Sequence, residues 1–411
     1  MASFGKLAFK NIAWLFVGEV SIRVFKLILI VVIARFLGVF SYGQLSFAAA
    51  FAIILSMLAN FGFSEINTRE LSKGRDVDKS AIISLQWMFS AGVLICTIIL
   101  SMILLSDLLL IGLICLLSLS FSFIEMSELL FSFFRSINKI KYEAITKTIQ
   151  GIVVLGLGLL LIFSYSNIIG VAIAYAISSA IAFAIILYFY NKKIEKFRFK
   201  INNEAWKTAI KTAWPLGMVL FFTAIYNYID SVMLGMWGQI VEVGWYDAAY
   251  KIILVLMIIP VLLNRGFLPL LSKFHKTEKF KRIFTSELTL LVVGMLCMIF
   301  IGISLSSFII VSIYGLSYVP AILVFDILII VAGVYFLIIL MYQILIINDN
   351  QNKIFKITLW GAVLNIILNI ILIPKYSLYG AASATLITFL AIAAIALYYA
   401  RQALKESTSC S

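Results

Sequence analysis

Ionisable side chains recur where an apolar chain should hold none. Glu19, Arg23 and Lys26 stand at i, i+4 and i+7 within one long apolar run, and Asp247, Lys251 and Arg265 lie in another. Helical geometry places each set on one face, and the second set spans about 27 Å along its helix at 1.5 Å per residue. Glu125, Glu128, Asp230 and Asp326 are similarly enclosed by apolar sequence. A charge at the centre of a bilayer costs about 2.5–3.5 kcal/mol on insertion scales, so such groups face protein or water and mark sites of function. Two chemistries remain open. Glu19 with Arg23, and Asp247 with Lys251, have the spacing of helix-stabilising ion pairs. Lys26 and Arg265 have no such partner in their own helix, and with Arg23 and Lys251 they would offer an anion charged hydrogen-bond donors. Asn60 and Asn227, on polar faces of neighbouring runs, are candidate partners for a polar substrate. Glu19, Asp230, Asp247 and Glu125 are candidates for ion coupling or gating. The six enclosed carboxylates exceed the four cations, so a cationic passage requires some acids to point elsewhere.

The elements that position these groups are membrane helices. Of 411 residues, 63% are hydrophobic and 12% charged, against about 25% charged in soluble domains. About 20 apolar residues cross the bilayer core, and such runs recur at 11–36, 43–66, 81–105, 108–134, 148–164, 168–190, 208–236, 246–272, 287–313, 319–347, 355–374 and 379–400. The pattern predicts an all-α integral membrane protein of about twelve spans. The first run is too long for a cleaved signal and reads as a retained span. Of the 32 Lys and Arg, 26 fall in alternate connectors, Arg135 and Lys147 among them. The positive-inside rule makes those connectors, and both termini, cytoplasmic.

The net charge of +13 is dispersed over short connectors, with no basic domain for nucleic acid. His275 is the only histidine, and Cys96, Cys115, Cys297 and Cys410 have no ligand spacing, so no metal or other cofactor is expected. No GxxxxGK[ST] phosphate loop is present, leaving an ion gradient, the membrane potential or substrate flux as energy source. Pro215 and Pro260 lie within spans and can bend them.

The basic connector from Asn191 to Trp206 divides the chain into halves, 1–200 (spans one to six) and 201–411 (spans seven to twelve). The halves echo one another. Leu37-Gly38 and Tyr42-Gly43-Gln44-Leu45 resemble Leu234-Gly235 and Val243-Gly244-Trp245-Tyr246, while Leu161 to Ser166 and Gly170 resemble Leu372 to Ser377 and Gly380. Six spans per half give a parallel repeat about an axis along the membrane normal, and carriers so built place their substrate path between the repeats.

Several segments resemble the polysaccharide-exporting flippases of the multidrug/oligosaccharidyl-lipid/polysaccharide transporter superfamily. They include Ala34-Arg35-Phe36-Leu37-Gly38 with Tyr42-Gly43-Gln44, Phe61-Gly62-Phe63, Arg69-Glu70-Leu71, Asp230 to Gly235, Glu242 to Lys251, and Asn365 to Ala382. The resemblance implies a V-shaped carrier of two pseudo-symmetric six-helix lobes in the bacterial inner membrane. The implied substrate is an undecaprenyl-pyrophosphate-linked oligosaccharide, moved to the periplasmic leaflet for O-antigen or capsule assembly, with H+ or Na+ as a coupling ion. The implied partners are membrane lipid, a polysaccharide polymerase and chain-length proteins. A relative, the lipid II flippase, uses basic residues in its first and eighth spans, where Arg23, Lys26, Lys251 and Arg265 stand here. Two other functions stay open: a cation-coupled multidrug exporter of the same superfamily, and a membrane-embedded glycosyltransferase or polymerase. The last would be an enzyme, and its acidic motifs in long extramembrane loops are missing; the expectation is a carrier.

Overall fold

A computed structural model of the chain describes residues 2–74, 77–274, 277–348 and 350–409. Side chains at 2–12, 15, 72, 265, 278 and 405–409 lie outside the description, so the side chain of Arg265 does, as do Arg75, His275, Lys276 and Cys410. The described chain is helical almost throughout. In order come α1 (Ala2–Phe36), α2 (Gly38–Asn60), α3 (Phe63–Ser72), α4 (Lys79–Leu104), α5 (Leu108–Ser136), α6 (Lys141–Tyr165) and α7 (Ile168–Lys193). They are followed by α8 (Asn203–Met236), α9 (Ile240–Leu256), α10 (Ile258–Lys273), α11 (Glu278–Tyr314), α12 (Ala321–Ile347) and α13 (Gln351–Ser409). A helix satisfies its own backbone, which hydrocarbon cannot do for it.

Among the described residues, 10 helical segments are long and apolar enough to cross a membrane. One of them, Gln351–Leu404, has 54 residues, about 80 Å if straight, far beyond a core of about 30 Å. It doubles back at Ser377, whose φ of 53° and ψ of −133° are not helical. Asn369 and Thr385, on either side of the bend, reach the same carboxylate, Asp230. The two arms of α13 correspond to the runs 355–374 and 379–400; α1 covers the run 11–36 but is not among the ten.

Two long spans are interrupted, each for a local reason. Between α2 and α3 the chain turns through Phe61 and Gly62, both left-handed at φ 47° and 76°, and the Asn60 side chain accepts from Gly62 N at 3.1 Å. Between α9 and α10 it is Pro260 that acts. Proline has no amide hydrogen and its ring crowds the carbonyl four residues back, here that of Leu256, the last residue of α9.

The chain forms two compact units, Met1–Ala224 and Ile225–Ser411, with the boundary inside α8. The connector before α8 is bound to the first unit. Lys200 Nζ lies 2.7 Å from Asp78 Oδ2, Lys200 N donates to Ser84 Oγ at 2.9 Å, and Trp206 Nε1 donates to Ala81 O at 2.8 Å. Phe197 packs on Trp87, ring centroids 4.5 Å apart. Trp206, Ala209 and Ala213 thereby join the core built on Phe63, Ile83, Leu130 and Phe134. In the second unit, α12 packs along α13, α11 and α9.

The internal echo has a backbone counterpart, with one correction. Ser166 and Ser377 both take positive φ, 47° and 53°, at the matched positions of the two later hairpins, with ψ of 34° at the first and −133° at the second. In the early hairpins the left-handed glycines are Gly38 and Gly238, both at φ 78°. Gly235 lies inside α8, so the sequence match of Leu37-Gly38 to Leu234-Gly235 is out of register; the turn requires a residue without a Cβ clash at positive φ, and that residue is Gly238.

Candidate functional site

In the first unit α1 is pressed against α6. A Cβ on Gly18 would stand 2.8 Å from Ala144 Cα, the close approach that small residues permit between membrane helices. This brings Glu19 onto Lys147 of α6, with Nζ 2.6 Å from Glu19 Oε1. Lys147 also contacts Glu143 Oε1 at 2.8 Å and Glu128 Oε1 at 2.9 Å. Arg135 completes the network. It donates to Glu128 at 2.7 Å through Nη2, and to both oxygens of Glu143 at 2.6 and 2.7 Å. Buried ions are tolerated only in such fully partnered sets.

The sequence places Arg135 and Lys147 in a cytoplasmic connector. In the structure they lie within α5 and α6, and Lys147 is only 8% exposed. The i, i+4 spacing of Glu143 and Lys147 was the available signal; the partner Glu19, 128 residues away, was not visible.

On the same helix Arg23 Nε lies 3.5 Å from Glu19 Oε2, with its side chain 52% exposed. Lys26 Nζ sits 5.7 Å above the Tyr175 ring of α7. Farther along α5, the buried Glu125 accepts from Asn60 Nδ2 at 2.6 Å, and Ser132 Oγ accepts from Asn67 Nδ2 at 2.6 Å. Asn60 at the end of α2 and Asn67 in α3 thus each meet a polar group of α5 inside the first unit.

The second unit has its own polar centre. Asp230, 1% exposed, accepts from Tyr246 Oη at 2.6 Å and from Thr385 Oγ1 at 2.6 Å, and it contacts Asn369 Nδ2. Asn369 Nδ2 also donates to Asn365 Oδ1 at 3.1 Å, while Asn369 Oδ1 is buried with no partner among the described residues. Tyr250 Oη donates to Asn227 Oδ1 at 3.2 Å, and Lys251 Nζ lies 3.3 Å from Asp247 Oδ1. The i, i+4 ion-pair reading therefore describes both Glu19–Arg23 and Asp247–Lys251. Sequence reasoning passed over Glu287, which is fully buried against Gln343; with the amide turned so that its nitrogen faces the carboxylate, the separation is 2.9 Å.

Membrane-length helices in two units, each enclosing a partnered polar centre, define a polytopic helical membrane protein. Its fold is that of the multidrug/oligosaccharidyl-lipid/polysaccharide superfamily. The structure resembles the lipid II flippase MurJ in an inward closed conformation, with a TM-score of 0.78 at 19% identity, over 97% of this chain and 90% of that one. It also resembles an inward-facing multidrug resistance MATE transporter, with a TM-score of 0.77 at 13% identity, over 98% and 99%.

The chain belongs to the polysaccharide biosynthesis protein family, which matches residues 8–275. Among individual relatives, a protein of Shigella dysenteriae named as an O-antigen transporter is 24% identical over 66% of this chain and 68% of its own length. The capsular polysaccharide biosynthesis protein CapF of Staphylococcus aureus is 25% identical over 59% and 63%. A Haloferax volcanii protein named as a flippase, AglR, is 28% identical over 40% of this chain, and the match spans 35% of its own length.

Proposed function

We propose that this protein is a flippase, not an enzyme, for undecaprenyl-pyrophosphate-linked oligosaccharides of O-antigen or capsule type. It carries them by alternating access from the cytoplasmic to the periplasmic leaflet of the bacterial inner membrane, its halves of six spans acting as the moving parts. Family membership supports the substrate class. The observation that carries the mechanism is Arg23, a cation in the first apolar run, within α1, whose side chain stays 52% exposed. Glu19, its neighbour, already gives its other oxygen to Lys147. An arriving pyrophosphate offers the Arg23 guanidinium a stronger, bidentate partner. Lys26, Lys251 and Arg265 are further donors along this path, and Asn60 and Asn227 polar contacts for the sugars.

Coupling is assigned to Asp230, with Glu19, Asp247 and Glu125 as gating groups. The oxygens of Asp230, Asn365, Asn369 and Thr385 are hard donors suited to an alkali cation, and the carboxylate alone would serve a proton. Genetics tests the reading. Loss of the gene strands lipid-linked repeat units on the cytoplasmic leaflet, and Arg23→Ala, made at normal abundance, fails to relieve it. Full relief by a chain with alanine at 23, 26, 251 and 265 together would overturn the cationic path. Drug resistance on overexpression, without any effect on glycan export, would favour the multidrug reading instead.

A further inference from the structure

The first unit contains a cavity of about 450 Å³ that takes no part in the charge networks around Lys147. It lies between α3, the start of α4 and the first turns of α8, on the side that the basic connectors assign to the cytoplasm. Its volume falls in the range of about 300–1,000 Å³ typical of small-molecule sites. Phe63, Ile66, Ile82 and Ala209 line its apolar part. Asp78, Glu204, Thr208 and Asn67 line its polar part, together with the Arg69–Glu70 pair.

The walls are held by specific bonds and so are not loose packing. Asp78 caps α4 by accepting from Ala81 N at 3.2 Å, and it is tied to Asn202 Nδ2 at 3.0 Å and to Lys200 Nζ at 2.7 Å. Trp206 Nε1 fixes the first turn of α8 on Ala81 O. Asn67 is 3% exposed; its nitrogen is taken by Ser132, and its Oδ1 has no partner among the described residues.

This lining selects a ligand class. It is rich in acceptors, so it suits a molecule that brings several donors. Arg69 lies 3.0 Å from Glu70 and Lys200 2.7 Å from Asp78, which leaves Glu204 as one carboxylate with no ion pair among the described residues. A phosphate is therefore repelled. A cationic drug would meet a single acid, because the other two already hold cations. A neutral pyranose ring fits both parts, its C–H face on Ile66, Val77 and Ala209 and its hydroxyls toward Glu204 and Thr208. We propose that this cavity binds a hexose of the lipid-linked oligosaccharide, making it a sugar-selecting subsite separate from the cations that meet the pyrophosphate. The proposal rests on the flippase reading for its biological substrate, but binding of the sugar does not.

The test uses the full chain in lipid nanodiscs, with saturation-transfer NMR on methyl glycosides of glucose, galactose, N-acetylglucosamine and rhamnose. At least one should bind, with signal concentrated on one ring face. Glu204→Gln should weaken it about tenfold, the cost of one charge-assisted hydrogen bond. Ala209→Leu, which fills the apolar part, should abolish it. Because Ala209 touches the core, Thr208→Trp at an exposed position is the second blocking variant. Pyrophosphate should not compete. No glycoside binding, unchanged binding in both blocking variants, or displacement by tetraethylammonium would each overturn the proposal. In cells, blocking variants of normal abundance should slow export of the native glycan. If gene loss leaves export intact while glycosides still bind at this cavity, the flippase reading fails and the sugar site stands.

Discussion

Replacing Lys147 by methionine should destabilise the first unit severely while leaving its shape in place. The ammonium sits 2.6–2.9 Å from three carboxylates, and methionine retains the length of the stem without the charge. Two of those acids count heavily, because Glu143 and Glu128 side chains are 2% and 23% exposed. Glu19, at 41% exposed, is screened by water and adds little. Breaking a buried pair by removing one partner costs about 3–5 kcal/mol, more than a hundredfold in the folding equilibrium. For a unit of this size each kcal/mol shifts the melting temperature by about 2–4 °C, so a fall of about 10 °C is expected. Thermal unfolding of the purified protein in detergent, followed by tryptophan fluorescence, would measure it. Adding Glu143→Gln should recover much of the loss, because Glu19 and Glu128 then face Arg23 and Arg135 in balance. A Lys147→Met protein that melts with wild type, or a double variant as unstable as the two losses summed, would refute the claim that these charges stabilise one another.

Three further outcomes follow from the same reasoning. Gly217→Ala should lower stability by about 1–3 kcal/mol, as overpacking does, since its Cβ would stand 2.6 Å from Phe61 O; Gly112→Ala, with nothing within 4 Å, should be neutral in the same melting assay. The hydrogen bond from Lys200 holds the Asp78 carboxyl below its usual value, with the bonds from Asn202 and Ala81 acting in the same direction. The stability this contributes is complete above the ordinary aspartate range and disappears as pH falls through the lowered value. Acid should therefore lower the protection of the amides of Phe197 and Lys200 against hydrogen exchange, measured relative to the intrinsic exchange rate at each pH, and Asp78→Asn should remove that loss of protection. Asp230→Asn should abolish dependence of glycan export on the coupling ion, read in vesicles with and without a Na+ or H+ gradient; an unchanged gradient response would clear Asp230 of that role.

The apolar runs showed the helices and most of their ends because burial in hydrocarbon imposes a length and a composition on each segment separately. Pairings between segments left weaker traces. Glu143 and Lys147 look like solvated charges at a helix start until α1, fixed by Gly18 against Ala144, brings Glu19 across. The early hairpin of the second half was misread by three residues because Leu-Gly pairs are common, whereas the left-handed backbone that singles out Gly238 is invisible in composition. The connector reads as a linker by its charge, yet its hydrogen bonds to Asp78, Ser84 and Ala81 come from groups more than a hundred residues earlier. The acids of α5 and α8 were legible as buried; Asn60, Asn369 and Thr385 became their partners only once the helices were packed.

The fastened connector determines how the gene can be divided. A fragment that stops at residue 200 would lose Trp206, Ala209 and Ala213 from beneath Phe63 and Phe134, leaving an oily notch for chaperones and proteases. Two co-expressed pieces should reassemble best when the first retains the opening turns of α8, and a fluorescent protein inserted at 197–202 should be poorly tolerated although that stretch looks like the natural seam.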